Sequence, residues 1–391
     1  MFAPFKRFFK PLALVLAFSG LAACESLPAA TRAVDPNEPV IVALLVPLGS
    51  GNAVTDQLAQ SLINAARMAQ SDIRGAVVDV RVYETAGTAE MATSAATRAV
   101  AEGAQIIVGP LFSPATTAAA SVARSAGLNV LSFSNNTSVA GGNVFLMRVT
   151  FESVADRLVS YSVSQGMNRF AIVHQDGLEG EAGRAAVAGA IGRNGGNLVT
   201  TLNYARNIQE MSDRADEIAP ALKGSGANAV FFTDSPLGGV GYMAASLATR
   251  NYRGGRDAQF MGLTRWDTSP EMLDAPSLEG GWFAVPDPDL TAQFEARYLA
   301  AYGAEPHNLS GLAYDAIAAV GAMIASARAE GASSAFSAAR LTSPEGFAGV
   351  NGVFRFNANG TNQRGLAVME VGVGVATIVS PAPRSFGATG S

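Results

Sequence analysis

Residues 105–136 read QIIVGPLFSPATTAAASVARSAGLNVLSFSNN. A short apolar run, residues 106–108, stops at Gly109-Pro110. A polar loop and an alanine-rich helical pattern follow, then a second apolar run, residues 130–133, which ends in Ser134-Asn135-Asn136. This is strand, helix, strand, and it predicts two adjacent parallel strands. Their carboxyl ends then carry two loops rich in hydroxyl and amide groups. In open α/β sheets that edge is where ligands bind.

The same alternation extends in both directions. Residues 40–46 form a continuous apolar run, suited to a strand buried on both faces. Leu58, Leu62, Ala66 and Ala69 recur at helical spacing. Residues 77–83 read as a strand, and Thr88 can cap the next helix. After Arg148 the pattern restarts. Strands are expected over 170–173, 198–202, 229–232 and 259–262, with helices between them. The last third is less regular. Strands are expected at 281–285, 347–356 and 366–371, helices around Phe294 and over 312–327, and a hairpin turn at Asn359-Gly360. Repeated β-α units argue for parallel sheets flanked by helices, arranged as two lobes across a cleft.

Composition bounds the function. Of 391 residues 49% are hydrophobic and 15% charged, which places the chain among globular proteins. The net charge of −5 and the absence of a dense basic run give no footprint for nucleic acid. One cysteine allows no internal disulfide. That cysteine and two histidines are too few for a zinc cluster. No GxxxxGK[ST] phosphate loop and no GxSxG elbow occurs, and no cofactor is expected. His174 with Asp176 could orient a serine, but a strand-ending histidine is more often a surface or cleft residue. The glycines of residues 177–183 lack dinucleotide-binding spacing.

The N-terminus reads as a targeting segment. Lys6, Arg7 and Lys10 precede an apolar stretch, residues 12–18, and Leu21-Ala22-Ala23-Cys24 closes it. LAAC resembles the bacterial lipobox, in which the cysteine becomes a lipidated first residue. Residues 1–23 are then the signal peptide, 24–39 a Pro/Ala/Thr-rich tether, and 381–391 a disordered tail. Lipidation of Cys24 would hold the protein on a membrane. By that resemblance Glu25, where an aspartate would signal inner-membrane retention, favours the outer membrane.

Four groups are candidates for ligand contact. Ser113, Thr116 and Thr117 could hold a carboxylate with the N–H groups of the helix they begin, or could simply cap it. Ser134, Asn135 and Asn136 could donate to the same ligand, or close a turn on their own backbone. Asp234 follows one second-lobe strand. Thr264, Arg265 and Trp266 follow another, where Arg265 could pair with an anion and Trp266 stack on a flat ligand.

Taken in order, VALLVPLGSG, IIVGPLFSPATT, VLSFSNN, RFAIVHQDGLEG, FEARYLAAYGAEPHNLSGLAYDAIAA and GVFRFNANGTNQRGLAVMEV resemble the type I periplasmic-binding-protein family, of the leucine-binding-protein kind. The likeness covers roughly residues 40–380. It implies an α/β fold of two Rossmann-like lobes, non-enzymatic, joined by three hinge crossovers near Val149, residues 281–285 and residues 336–347. Lobe 1 is then 40–149 with 284–340, and lobe 2 is 150–283 with 341–380. It implies a small polar ligand, such as an amino acid, and an inner-membrane permease as partner.

By the same likeness, Ser113 and residues 134–136 match loops that hold an amino acid's carboxylate and ammonium. The second lobe departs from the pattern. Leu178 and Glu179 stand before Gly180, where amino-acid receptors carry an aromatic. Thr264 stands where they carry an acid, with Glu179 and Asp267 as possible substitutes. FSNNTSVAGGNVFLMR, behind a lipobox, is also similar to the lipoproteins named penicillin-binding protein activators. That likeness implies an alternative partner, a penicillin-binding protein, and a role in regulating cell-wall synthesis.

Overall fold

The structure is a computed structural model that describes residues 38–386. The signal peptide, Cys24 and nearly all of the tether lie outside the described residues.

The first half runs β1 (Val40–Val46), α1 (Ala53–Asp72), β2 (Val78–Glu84), α2 (Ala89–Ala101), β3 (Ile106–Val108), α3 (Ser113–Ser125), β4 (Val130–Ser132) and β5 (Val144–Leu146). These strands form one parallel sheet in the order β2-β1-β3-β4-β5. The middle runs α4 (Phe151–Ser164), β6 (Arg169–Gln175), α5 (Leu178–Arg193), β7 (Asn197–Tyr204), α6 (Ile208–Ser225), β8 (Ala229–Phe232), α7 (Val240–Thr249), β9 (Gln259–Gly262), α8 (Pro270–Leu273) and β10 (Trp282–Val285). The chain closes with α9 (Pro288–Tyr302), α10 (Ser310–Ala329), α11 (Ala338–Leu341), β11 (Phe347–Gly349), β12 (Gly352–Phe356), β13 (Asn362–Arg364), β14 (Ala367–Val371) and β15 (Ala376–Ser380). The second sheet has the order β15-β14-β10-β9-β8-β6-β7. In it β14 runs antiparallel to both its neighbours, β10 and β15, and the other pairings are parallel. The two-lobe α/β architecture expected from the sequence is therefore the one observed.

Alternation along the strands builds two layers on each sheet. In β1, Val40, Val42, Leu44 and Val46 face α1 and α10, while Ala43 and Leu45 face the alanines of α2 and α3. A strand clad on both faces needs the unbroken apolar run that VIVALLV supplies. In α1, Asn52 caps the first turn by accepting from the Val54 and Thr55 N–H groups. Its buried leucines, Leu58 and Leu62, each contribute about 1.5–3 kcal/mol by leaving water. Helix α10 is apolar nearly all round because it is enclosed against α1 and the first sheet. A Cβ at Gly321 would stand 2.8 Å from the Ile73 side chain, so glycine sets how closely α10 packs there.

The crossovers differ partly from expectation. The first lies between β5 and α4, close to Val149, and the second follows β10. The third is not near residues 336–347. Strands β11, β12 and β13 form a small antiparallel sheet of their own, and Phe354 and Phe356 are buried in the first lobe's core. The crossover comes after β13, so residues 341–364 pack with the first lobe, and not the second as expected. The apolar run 347–356 is two strands, folded back at Val350-Asn351, and only the face carrying Phe354 and Phe356 is buried. The tail is also less free than expected. Ala382 is buried in the second core, Arg384 lies 3.6 Å from Asp287, and Arg355 stacks 4.6 Å from the Phe386 ring.

Candidate ligand-binding cleft

Both sheets repeat one topology. In the first, α1 leaves β1 on one face and α3 leaves β3 on the other, so the loops after β1 and β3 diverge. In the second, α5 leaves β6 on one face and α7 leaves β8 on the other. Each divergence opens a crevice at the carboxyl edge of its sheet, the usual ligand position in such folds. Ser113 stands at the first crevice. Gln175, Asp176 and Asp234 stand at the second.

In the first lobe a chain of hydroxyls holds the two loops together. Ser113 Oγ and Ser134 Oγ are 3.1 Å apart. Behind them Thr116 Oγ1 and Ser132 Oγ are 2.8 Å apart, and Ser132 Oγ donates to the Pro110 carbonyl. Because its proton goes to Pro110, Ser132 accepts from Thr116 and from the Ser134 N–H. Ser134 Oγ accepts from the Asn136 N–H. The loop can turn so tightly because Gly109 has φ +84°, and a Cβ there would lie 2.1 Å from the Leu45 carbonyl oxygen. Helix α3 begins at Phe112 without a side-chain cap, so its first N–H groups face outward with the positive end of the helix dipole.

The predicted residues separate accordingly. Ser113 is partly exposed and Asn135 exposed, so both can meet a ligand. Ser134 is nearly buried, with its oxygen at the junction of the two loops. Thr116 is fully buried against Ser132 and cannot touch a ligand; it positions Ser134. Thr117 is exposed and donates to the Ser113 carbonyl. The Asn136 side chain caps a short turn by accepting from the Ser138 N–H.

The second lobe corrects several expectations. Trp266 is not a stacking platform. It is fully buried, with its ring over Gly262 and Gly281, where a Cβ would stand 2.3 and 2.5 Å from it, and it packs beside Phe283. Asp234 is buried too. It accepts from Tyr204 Oη at 3.0 Å and from the Ser235 N–H at 2.7 Å, and burial pushes its carboxyl above the usual range. Asp234 therefore braces the loop, and its carbonyl in turn accepts from Thr264 Oγ1 at 3.2 Å. Arg265 is half-exposed but engaged, with two bonds of 2.9 and 2.8 Å to Asp267. Asp267 is thus taken as well. His174 is buried on β6 with Nδ1 at 3.0 Å from the Gln175 carbonyl.

Three features of this edge remain open to a ligand. Helix α5 begins after Gly177, at φ +105°, with no side-chain cap. Leu178 is 94% exposed and Glu179 is exposed beside it. The open part of the second lobe's wall is therefore the start of α5 with Leu178 and Glu179; Thr264 and Arg265 are engaged with Asp234 and Asp267, and Trp266 belongs to the core.

Residue-by-residue reading of the sequence missed Arg148. It follows β5 on the first crossover, on the same edge as Ser113 and Ser134. Its backbone is fixed by Asn362 Nδ2, which donates to the Arg148 carbonyl at 2.8 Å. Burial lowers its guanidinium pKa. Nearby, the α9–α10 loop carries His307, whose imidazole is lowered by burial and by the Arg148 charge. Glu295, on α9, is raised by burial and by Glu305, and Arg265 of the second lobe pulls it down, so this face of the first lobe looks across at the second.

The sequence model of the family described as "Periplasmic binding protein" matches residues 39–375. No curated protein matches the chain. Among solved structures, one whose name assigns it to a branched-chain amino acid ABC transporter of Rhodospirillum rubrum superposes with a TM-score of 0.71 at 19% identity, covering 88% of this chain and 100% of that one. An ABC transporter substrate-binding protein from Desulfitobacterium hafniense, in complex with Leu, superposes at 0.61 with 20% identity, covering 88% and 100%. A solute-binding protein from R. palustris, in complex with benzoate, superposes at 0.56 with 17% identity, covering 90% and 98%. At these identities the superpositions speak for the fold, and the sequence match over nearly the whole described chain speaks for the family. The chain belongs to the periplasmic-binding-protein family, in its type I, leucine-binding-protein-like form.

Proposed function

We propose that the protein is a solute receptor of an ABC transporter, binding a small polar ligand, an amino acid or related acid, between its lobes and presenting it to an inner-membrane permease. Lipid on Cys24 would hold it at a membrane. The observation that carries this reading is the pair Ser113 and Ser134, hydroxyls 3.1 Å apart on two loops at the first sheet's divergence, beside a helix start with no side-chain cap. Solved relatives of the same fold hold leucine or benzoate, which supports a small carboxylate-bearing ligand. A thermal-shift panel of amino acids and small organic acids tests it. A ligand present at about 100 times its Kd should stabilise the protein by about 2.7 kcal/mol. An unmoved melting temperature across the panel would contradict the reading.

One observation favours a second reading, a regulator of peptidoglycan synthases acting by protein contact. Large apolar side chains stand exposed in the opening turns of helices on both lobes: Val54, Leu178 and Ile208. Apolar groups so placed suit a protein partner. This reading predicts that the mature lipoprotein binds a purified penicillin-binding protein, and that charged substitutions at Leu178 and Ile208 weaken that binding.

A further inference from the structure

Two arginines of the facing edges, Arg148 and Arg265, differ in status. Arg265 is satisfied by Asp267 through two hydrogen bonds. Arg148 has no such partner. Among the described residues no carboxylate, carbonyl or hydroxyl accepts from its guanidinium, although burial is enough to lower its pKa. Its backbone is nonetheless held firmly. Asn362 Nδ2 donates to the Leu146 and Arg148 carbonyls at 2.7 and 2.8 Å, and Arg364 donates twice to the Met147 carbonyl. A guanidinium carried on a pinned backbone, partly removed from water and without a protein acceptor, must take its acceptor from water or from a ligand.

His307 compounds the demand. Its Nδ1 accepts from the Leu309 N–H at 3.1 Å, so in the neutral ring the proton is on Nε2. Burial and the Arg148 charge both favour that neutral ring. Nε2–H is then a second donor, and no described residue accepts from it. Two donors near each other with no acceptor match a group that has oxygen acceptors and negative charge. Along the same edge stand Ser113, Asn135 and the uncapped start of α3, all able to donate, and none of these brings a negative charge.

We infer that Arg148, with His307 beside it, is the anion anchor of the cleft, and that the ligand is a small organic acid whose carboxylate the Arg148 guanidinium receives. The inference rests on the solute-receptor reading above and names the ligand class that reading leaves open. An amino-acid ammonium would meet Asp234 and Asp267 already engaged, which sets an acid without an ammonium ahead of it. Phe112 at one wall and Leu178 at the other are exposed and apolar, which suits an acid with an apolar body.

The test uses calorimetric titration of the mature chain with benzoate and leucine, and with their neutral-carbonyl counterparts benzamide and leucinamide. The wild type should bind at least one acid about tenfold or more tightly than its amide. R148Q should lose about tenfold or more of that affinity while its melting temperature without ligand stays level or rises, and R148K should recover part of the loss. H307Q should weaken the acid less than R148Q does. Equal affinity for acid and amide, or an R148Q affinity within twofold of wild type, would overturn the anchor and leave the receptor reading standing. No binding of any of the four compounds to the wild type would overturn the receptor reading, and the anchor with it.

Discussion

Arg364 Nη1 lies 3.0 Å from Asp315 Oδ2, and neither side chain is exposed to solvent. Asp315 is on α10 and Arg364 ends β13, just before the third crossover. Arg364 also donates to the Met147 carbonyl at the first crossover and lies 4.7 Å from the Phe354 ring. Asp315 accepts in addition from the Val350 N–H and from Asn351 Nδ2. One buried pair thus joins the long core helix, the small sheet and two of the three connections between lobes.

Breaking that pair on one side should be severe. Burial already pushes the Asp315 carboxyl upward, with Arg364 pulling against it, so a lone Arg364 would be a buried charge without its counter-ion. Asp315→Ala is expected to cost about 3–5 kcal/mol, and a paired apolar replacement, Asp315→Leu with Arg364→Met, much less. Urea denaturation of the three proteins measures the difference. Equal losses for single and double variants would show that the pair contributes only packing.

Gly109→Ala tests the geometry of the first-lobe wall. The added Cβ would meet the Leu45 carbonyl oxygen at 2.1 Å, at a backbone angle that side chains rarely adopt. Strain and clash together should destabilise by about 3 kcal/mol or more. The loop from Gly109 to Ser113 would have to shift, so any ligand-induced rise in melting temperature should shrink as well. Gly127→Ala is the control, since its φ is also positive but nothing lies within 4 Å of its Cβ.

The architecture was largely legible in the sequence because buried parallel strands and alanine-faced helices have simple patterns. Residues 40–46, 229–232 and 259–262 were expected as strands and are β1, β8 and β9. Length alone did not decide legibility, since β3 and β4 are as short as β5 and are plain in the sequence. No helix separates β4 from β5, so the β-α alternation does not mark β5, and that hid Arg148 two residues beyond it. β15 was missed for its mixed, half-exposed pattern. Trp266 read as a cleft residue because Thr264, Arg265 and Asp267 around it are polar. It is buried because Gly262 and Gly281, far apart in sequence, leave room for its ring. Thr116 and Ser113 could not be told apart either, since residues three apart on a helix share one face, and only contact with Ser132 on the neighbouring strand makes Thr116 the buried one.

Acid should weaken the fold through His307. Its folded pKa lies below its ordinary value near 6.5, from burial first and from Arg148 second. The unfolded chain therefore takes up a proton before the folded one as pH falls. The stability this group contributes is complete above about pH 6.5 and declines as pH drops below it. Melting temperature between pH 7 and 5 should fall less steeply in His307→Asn than in the wild type. A wild-type slope that the variant leaves unchanged would assign the acid sensitivity to other groups.

The most direct measurement compares ligand-induced thermal shifts of the wild type and the double variant Ser113→Ala, Ser134→Ala, using leucine and benzoate as probes. Both serines stand at the loop junction, and neither makes up the core, so the unliganded melting temperature should change by only a few degrees. The account predicts a concentration-dependent rise for the wild type with at least one probe, and none for the double variant. A rise that survives both substitutions would contradict the placement of the ligand at the edge formed by β3 and β4.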